Sequence, residues 1–273
     1  MWLIGGAVVA GVGLAAAARL PRGAARASRE GTAAGRIADS SVVDADAIKA
    51  LESMGKYLRT LKAIDVHAVV TREEVQTDGQ KVQTTSNVDL LAQRPNRLRV
   101  EVADDRQPRL FYYDGKTFTL WAPRLRFYTK VDAPSNIEEL ADQLEDRYHV
   151  DLPLVDLFRW GTKEADDADI TSAEDLGPST VDGVTCEQYL FRQDGLDWQL
   201  WVQQGDYPLP KKVVISTTTD DARPQYTAVW TWNLAPSFND QEFVFTAPAD
   251  AKPVPFATDL MARLGTKTGG PKK

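Results

Sequence analysis

Four Asp-Gly pairs constrain this chain more than any other feature. Asp78-Gly79, Asp114-Gly115, Asp182-Gly183 and Asp194-Gly195 all lie beside runs in which apolar residues alternate with polar ones. Glycine accepts the positive φ that a tight two-residue turn needs, so Asp-Gly beside a period-two run marks a β-hairpin. Hairpins join antiparallel neighbours, whereas parallel strands need long crossovers. A device used four times in one chain therefore argues against a parallel βαβ fold and for an antiparallel meander.

The runs themselves agree. Val66, Ala68 and Val70 alternate before the first corner, and residues 82–91 follow it. The second corner separates 110–113 from 118–121, the third precedes 184–192, and the fourth separates that run from 198–202. Further strands are expected at 98–102, 126–131, 212–218 and 226–234. Pro95, Pro123, Pro208 and Pro210 fall between strands, where a missing N–H costs nothing.

Helical spacing occurs in two places. Asp44 is placed to cap a helix whose stripe is Ile48, Leu51, Met54, Leu58 and Leu61, ending near Lys62. In mid-chain, Ser135 and Glu138 have capping-box spacing, with Ile137, Leu140 and Leu144 as the apolar face, and 152–160 reads as a second short helix. Helices inserted halfway through a meander need a surface to cover. The simplest arrangement lays them across the concave face of a curved sheet, giving a mainly β (α+β) protein.

Composition narrows the function. A chain of 273 residues with 43% hydrophobic and 9% aromatic content can build one large β core. A net charge of −7 gains nothing from counterion release, which argues against nucleic acid as a partner. The lone Cys186 cannot form an internal disulfide and is expected to be buried and inert. His67 and His149 are far apart, and no Cys/His cluster has metal-ligand spacing. The acidic stretch 164–169 lacks the glycine and spacing of a calcium loop and reads as a solvated loop. No nucleophile elbow, zinc-protease helix or phosphate loop occurs, and no cofactor is implied. Glu73-Glu74 and Asp104-Asp105 read as strand-end charges, and a dispersed carboxylate pair for glycoside hydrolysis is kept as a third reading.

The N-terminus carries an apolar run over 2–18, then Arg19, Arg22 and Arg26, then Ala25-Arg26-Ala27 before Ser28. Residues 1–27 therefore read as a secretory signal or, uncleaved, as an N-terminal anchor. Residues 28–43 read as a linker, 44–256 as the folded domain and 257–273 as a flexible tail. The expected location is exported and periplasmic, membrane-anchored if the first segment is retained.

The aromatic residues are the main functional signal. Phe111, Tyr113, Phe118 and Trp121 lie on early strands, and Trp198, Trp230 and Trp232 on late ones. Strand alternation puts Leu200 on the face of Trp198, and Tyr226, Ala228, Trp230 and Trp232 on one face. These residues, Phe111, Tyr113, Phe118, Trp121, Trp198, Leu200, Trp230 and Trp232, are the candidates for the wall of an apolar cavity; ordinary core is the competing reading.

Several segments then resemble a known group. Arg94-Pro95-Asn96-Arg97-Leu98-Arg99, Tyr113-Asp114-Gly115-Lys116-Thr117, Trp121 and Pro123 resemble the periplasmic lipoprotein carriers of the LolA/LolB type. Val181-Asp182-Gly183-Val184-Thr185-Cys186, Asp197-Trp198-Gln199-Leu200-Trp201 and Pro208-Leu209-Pro210-Lys211-Lys212 look closer still to an uncharacterised family of predicted periplasmic proteins related to those carriers. The resemblance implies a single curved antiparallel sheet forming an unclosed half-barrel around helices, with an apolar interior that holds lipid in the carriers, and no enzyme activity. The expected protein is a monomeric, non-enzymatic exported carrier or binding protein for lipid, lipoprotein acyl chains or another apolar ligand. The alternative is an envelope sensor or interaction module on the same fold, with an envelope protein as partner.

Overall fold

The computed structural model describes residues 43–104, 107–162 and 169–256. The expectations for the leader and linker and for the tail after Phe256 lie outside the described residues, apart from Val43, as does most of the acidic loop.

Two meanders make one sheet. The first runs through β1 (Ala63–Val75), β2 (Lys81–Gln93), β3 (Arg97–Ala103), β4 (Arg109–Tyr113), β5 (Thr117–Ala122) and β6 (Phe127–Asp132). The second runs through β7 (Ser172–Val181), β8 (Val184–Gln193), β9 (Leu196–Gln203), β10 (Pro210–Thr217) and β11 (Gln225–Trp232). They join where β11 pairs antiparallel with β1, with Val66 opposite Trp232 and Arg72 opposite Tyr226. A short β12 (Lys252–Pro253) lies parallel on β6, giving the order β12-β6-β5-β4-β3-β2-β1-β11-β10-β9-β8-β7. The edges do not meet, so the sheet is an unclosed, curved half-barrel, as expected from the sequence.

The Asp-Gly corners form as the chemistry demands. Gly79, Gly115, Gly183 and Gly195 all have positive φ, between 78° and 90°. Asp114 shows the side chain's part: its carboxylate accepts from Lys116 N at 2.9 Å and Thr117 N at 2.8 Å. Burial alone would raise the pKa of that carboxyl; these hydrogen bonds outweigh it and leave the pKa lowered.

Helix α1 (Ala45–Thr60) starts where expected, with Asp44 accepting from Asp46 N at 2.8 Å. Its buried stripe is Ala47, Leu51, Met54 and Leu58. Helix α2 (Ile137–Tyr148) buries Ile137, Leu140, Ala141, Leu144 and Tyr148. Three sequence expectations need correction. The N-cap of α2 is Asn136, which accepts from Glu139 N at 2.8 Å, not Ser135. Glu138 is instead drawn to Arg59 and Arg94, an interaction across the fold that outcompetes a local capping box. The second mid-chain helix shortens to α3 (Asp156–Arg159), because Leu154 takes φ +59° and 152–155 cannot continue a helix. Pro210 opens β10 rather than preceding it, a position where its missing N–H is tolerated.

Both faces of the sheet are used. Helices α1, α2 and α3 pack on the concave face in one continuous core with Leu90, Leu98, Val100, Phe111, Phe118, Phe191 and Trp230. On the convex face of the first meander, Phe245 packs against Tyr112, Trp121 and Tyr128 with ring centroids 5.1 to 5.7 Å apart. Phe243, in a 3-10 turn (Asp240–Phe243), is fully buried beside it in the strap that leads to β12. On the convex face of the second meander a smaller cluster of Val181, Cys186 and Trp201 forms, with Lys212 Nζ 4.6 Å from the centre of the Trp201 ring.

Candidate functional site

The ladder registers decide which side chains point inward. Directly opposed residues share a face. Trp232, Val66 and Leu90 form one inward row, and Trp230, Ala68, Val88 and Val102 the next. Tyr113 faces Phe118, and Phe111 faces Leu120. Phe191 lies opposite Trp198, with ring centroids 4.1 Å apart, and Leu200 opposite Val213.

Of the eight sequence candidates, Phe111, Tyr113, Phe118, Trp198, Leu200 and Trp230 are buried in the inner core, and Trp232 packs against it part-exposed. Trp121 does not share this face. Its register partners Leu110 and Tyr128 point outward, and Phe245 covers it. The reason is parity: Phe118 and Trp121 are an odd number of residues apart on one strand and must face opposite ways. Trp121 therefore belongs to the convex packing and not to a cavity wall.

At one end the inner face is filled by the helices. Ile64, Ala92, Leu98, Tyr113 and Leu140 are each 0–1% exposed there. Tyr113 Oη donates to Pro134 O at 2.5 Å, and burial pushes its hydroxyl pKa up to about 12. Gly55 of α1 lies so close to Gly161 that a Cβ added there would fall 2.6 Å from Gly161 N, which fixes the approach of α1 to the segment after α3. Trp160, in that segment, meets Trp230 edge-on at 6.1 Å.

One carboxylate ties this end together. Glu138 of α2 accepts from Arg59 of α1 at 2.6 Å and pairs with Arg94 of the β2–β3 turn. Arg59 also donates to Phe158 O at 3.0 Å, and the Arg94 guanidinium lies over the Phe158 ring at 5.2 Å. Burial raises the Glu138 carboxyl pKa, but the hydrogen bond from Arg59 and the charge of Arg94 outweigh it, so the net direction is down.

Toward the other end the inward positions lose their cover. Val70, Arg72, Thr84, Ser86, Arg109 and Tyr226 all point inward by register, and none is fully buried. Arg72 lies over the Tyr226 ring at 5.8 Å. Arg109 Nε is buried without a hydrogen-bond partner, and so is Trp230 Nε1. Burial lowers the Arg109 pKa; nearby Asp104 works against this and the like charge of Arg72 with it. The sequence reading stopped one inward position short of these groups. Arg72 continues the parity of Val66, Ala68 and Val70, and Arg109 that of Phe111 and Tyr113. A separate cleft of about 340 Å³ lies between α1 and the β7–β9 strands, lined by Ser53, Asp175, Glu187, Tyr189, Gln203 and Pro208 among others.

Among the described residues no group of His, Cys, Asp and Glu is arranged to hold a metal ion. Cys186 is buried, with its thiol 3.4 Å from Val184 O, and burial pushes its pKa up, away from a reactive thiolate. No helix among the described residues is long and apolar enough to cross a membrane, a statement that says nothing about strands.

An unclosed half-barrel whose concave side is apolar and helix-covered defines the class. Residues 47–257 match the family described as predicted periplasmic protein (DUF2092), and the chain belongs to that family. This is the kind of family whose likeness was legible in the 181–186, 197–201 and 208–212 segments. Among solved structures, the chain is similar to the lipoprotein LppX of Mycobacterium tuberculosis, with 11% identity and a TM-score of 0.44 over 72% of this chain and 100% of that one. It is similar to LprF from Mycobacterium bovis, with 13% identity and a TM-score of 0.44 over 77% of this chain and 99% of that one. It is also similar to the LolA superfamily protein NE2245 from Nitrosomonas europaea, with 11% identity and a TM-score of 0.34 over 73% and 97% of the two chains. No curated protein matches it.

Proposed function

We propose that this protein is a non-enzymatic carrier or binding protein of the cell envelope that holds an apolar ligand, a lipid or an acyl chain, against the inner face of its half-barrel. The observation that carries the reading is the uneven cover of that face. Helices fill one end, while Val70, Ser86 and Tyr226 keep water contact at the other, so apolar wall is reachable from outside. A chain entering there would start at Val70 and reach Ala68 and Trp230, which the helices and Trp160 now bury, only as that cover lifts, with the unpartnered Trp230 Nε1 as a donor to any polar group it carries. Each methylene buried would contribute about 0.8 kcal/mol, so a single acyl chain supplies enough to bind. The α2–α3 segment acts as the lid.

The test is binding of the neutral dye N-phenyl-naphthylamine, whose fluorescence rises in apolar surroundings. The native protein should bind it saturably, and Ala68→Trp, which fills the inward position opposite Trp230, should weaken binding. Saturable binding that Ala68→Trp leaves unchanged in a folded protein places the dye elsewhere and removes the proposal.

A further inference from the structure

The cleft between α1 and the β7–β9 strands is a concavity of its own. Register links Asp175, Tyr189, Leu200, Val213, Ala228 and Val70 in one inward row from β7 to β1. Leu200, Val213 and Ala228, in the middle of that row, are 0–2% exposed, so packed core separates the cleft from the mouth at Val70. Two carboxylates, Asp175 and Glu187, line the cleft, and no lysine or arginine does. Lys49, beside Ala50 on α1, is held by Asp46 at 2.8 Å, and Lys211 lies toward the Cys186 thiol.

The two carboxylates meet at Gly177. The β7–β8 ladder shifts register between Asp175 and Gly177, where the glycine takes φ +88°. Asp175 Oδ1 accepts from Gly177 N at 2.8 Å, and Glu187 Oε1 lies 3.8 Å from where a Cβ on Gly177 would stand. Gln204 Nε2 donates to the other Glu187 oxygen at 2.5 Å. Among the described residues neither carboxylate has a cationic partner. Tyr189, opposite Asp175 in the ladder, is only 8% exposed, yet its hydroxyl has no hydrogen-bond partner among the described residues. So buried a hydroxyl ordinarily has one, and Tyr189 lines the cleft, from which a partner can come. Burial first, then the charges of Asp175 and Glu187, pushes its pKa up to about 12. The phenol therefore stays protonated, with an oxygen free to accept.

We propose that this cleft binds a small organic ammonium ion, with its N–H groups shared among Asp175, Glu187 and Tyr189 and its carbon chain against Ala50, Val202 and Pro208. A primary ammonium carries three donors and no acceptor, which suits a wall whose converging polar groups offer acceptors. Hydrogen bonds from a charged donor to a carboxylate are among the stronger ones, and they select such an ion over a neutral molecule of the same shape. A metal ion suits the wall less well, since among the described residues no His, Cys, Asp and Glu side chains are grouped to hold one. The volume of about 340 Å³ is that of a small-ligand site. The site stands apart from the apolar hollow and does not rest on the carrier reading.

Pentylamine titrated into the isotope-labelled full chain at constant ionic strength, followed by amide NMR shifts, tests this. Saturable shifts should appear around Asp175, Glu187, Gln204 and Gly205. Pentanol, which lacks the charge, and tetramethylammonium, which lacks the N–H groups, should each bind at least about tenfold more weakly. Glu187→Gln and Asp175→Asn, at part-exposed and exposed positions, should each weaken pentylamine about tenfold, and Tyr189→Phe, which keeps the ring, about threefold. Ala68→Trp, which fills the apolar hollow, should leave pentylamine binding unchanged, so the two sites can fail separately. Shifts that do not saturate or that scatter over the surface overturn the proposal. So does pentanol or tetramethylammonium binding as tightly as pentylamine, or pentylamine binding that survives both carboxylate substitutions.

Discussion

The two ends of the inner face are built from the same strands, yet one is a protein core and the other is a mouth. At the first end Ile64, Leu98 and Tyr113 are sealed by Leu140 and Leu144 of α2 and by α1, with Glu138 pinning three elements to one another. At the second end the same strands continue inward through Val70, Arg72 and Arg109, and no helix closes over them fully. The difference teaches that the sheet is longer than its helical cover needs. A strand rises about 3.4 Å per residue, and along β1 the inward positions pass from the buried Ile64, Val66 and Ala68 to the part-exposed Val70 and Arg72.

This contrast predicts unequal costs. Phe158→Ala removes a fully buried ring that also carries the Arg94 guanidinium, and should cost about 3–5 kcal/mol, read as a lower urea midpoint. Glu138→Gln leaves Arg59 and Arg94 sharing a half-buried site without a charge partner and should cost about 1–3 kcal/mol. The same carboxyl has its pKa lowered on folding, so its contribution is present above the ordinary carboxylate pKa and is lost as pH falls through the folded value. Urea midpoints of the native protein should therefore fall with acidification in that range, and those of Glu138→Gln should fall less. Equal slopes would mean that Glu138 is not the acid-sensitive tie. At the mouth, Arg72→Gln gives up one part-exposed ring contact and should cost under about 1 kcal/mol. A large loss there would make the open end structural and erase the contrast.

The aromatic candidates sharpen the same comparison. Trp121→Ala and Trp198→Ala both delete buried rings and should both destabilise by about 3–5 kcal/mol. Only Trp198→Ala should alter dye binding in protein that remains folded, because Trp121 faces the convex strap.

Much of this was legible in the sequence because turn chemistry and alternation are local. The Asp-Gly corners marked the hairpins, and the Asp44 cap and its stripe marked α1. The strand β7 was not legible. Its sequence, with exposed Glu174, Asp175 and Leu176, a register shift at Gly177 and a proline at 178, follows no simple alternation, since among the described residues it is the last strand of the sheet, paired with β8 through a broken ladder and bridged on its other side only by Val43 at Ala173. The assignment of Trp121 to the cavity ignored parity that the sequence itself contained. The meeting of Glu138 with Arg59 and Arg94 depends on packing between distant helices and a strand turn, which no local pattern encodes.

Native mass spectrometry of the full-length protein, purified from an exporting host without detergent, tests the central claim most directly. The account predicts a fraction carrying one extra mass in the range of a single lipid or fatty acid, lost in Ala68→Trp. Protein that shows only its bare mass, and stays bare after incubation with an envelope lipid extract, would contradict it.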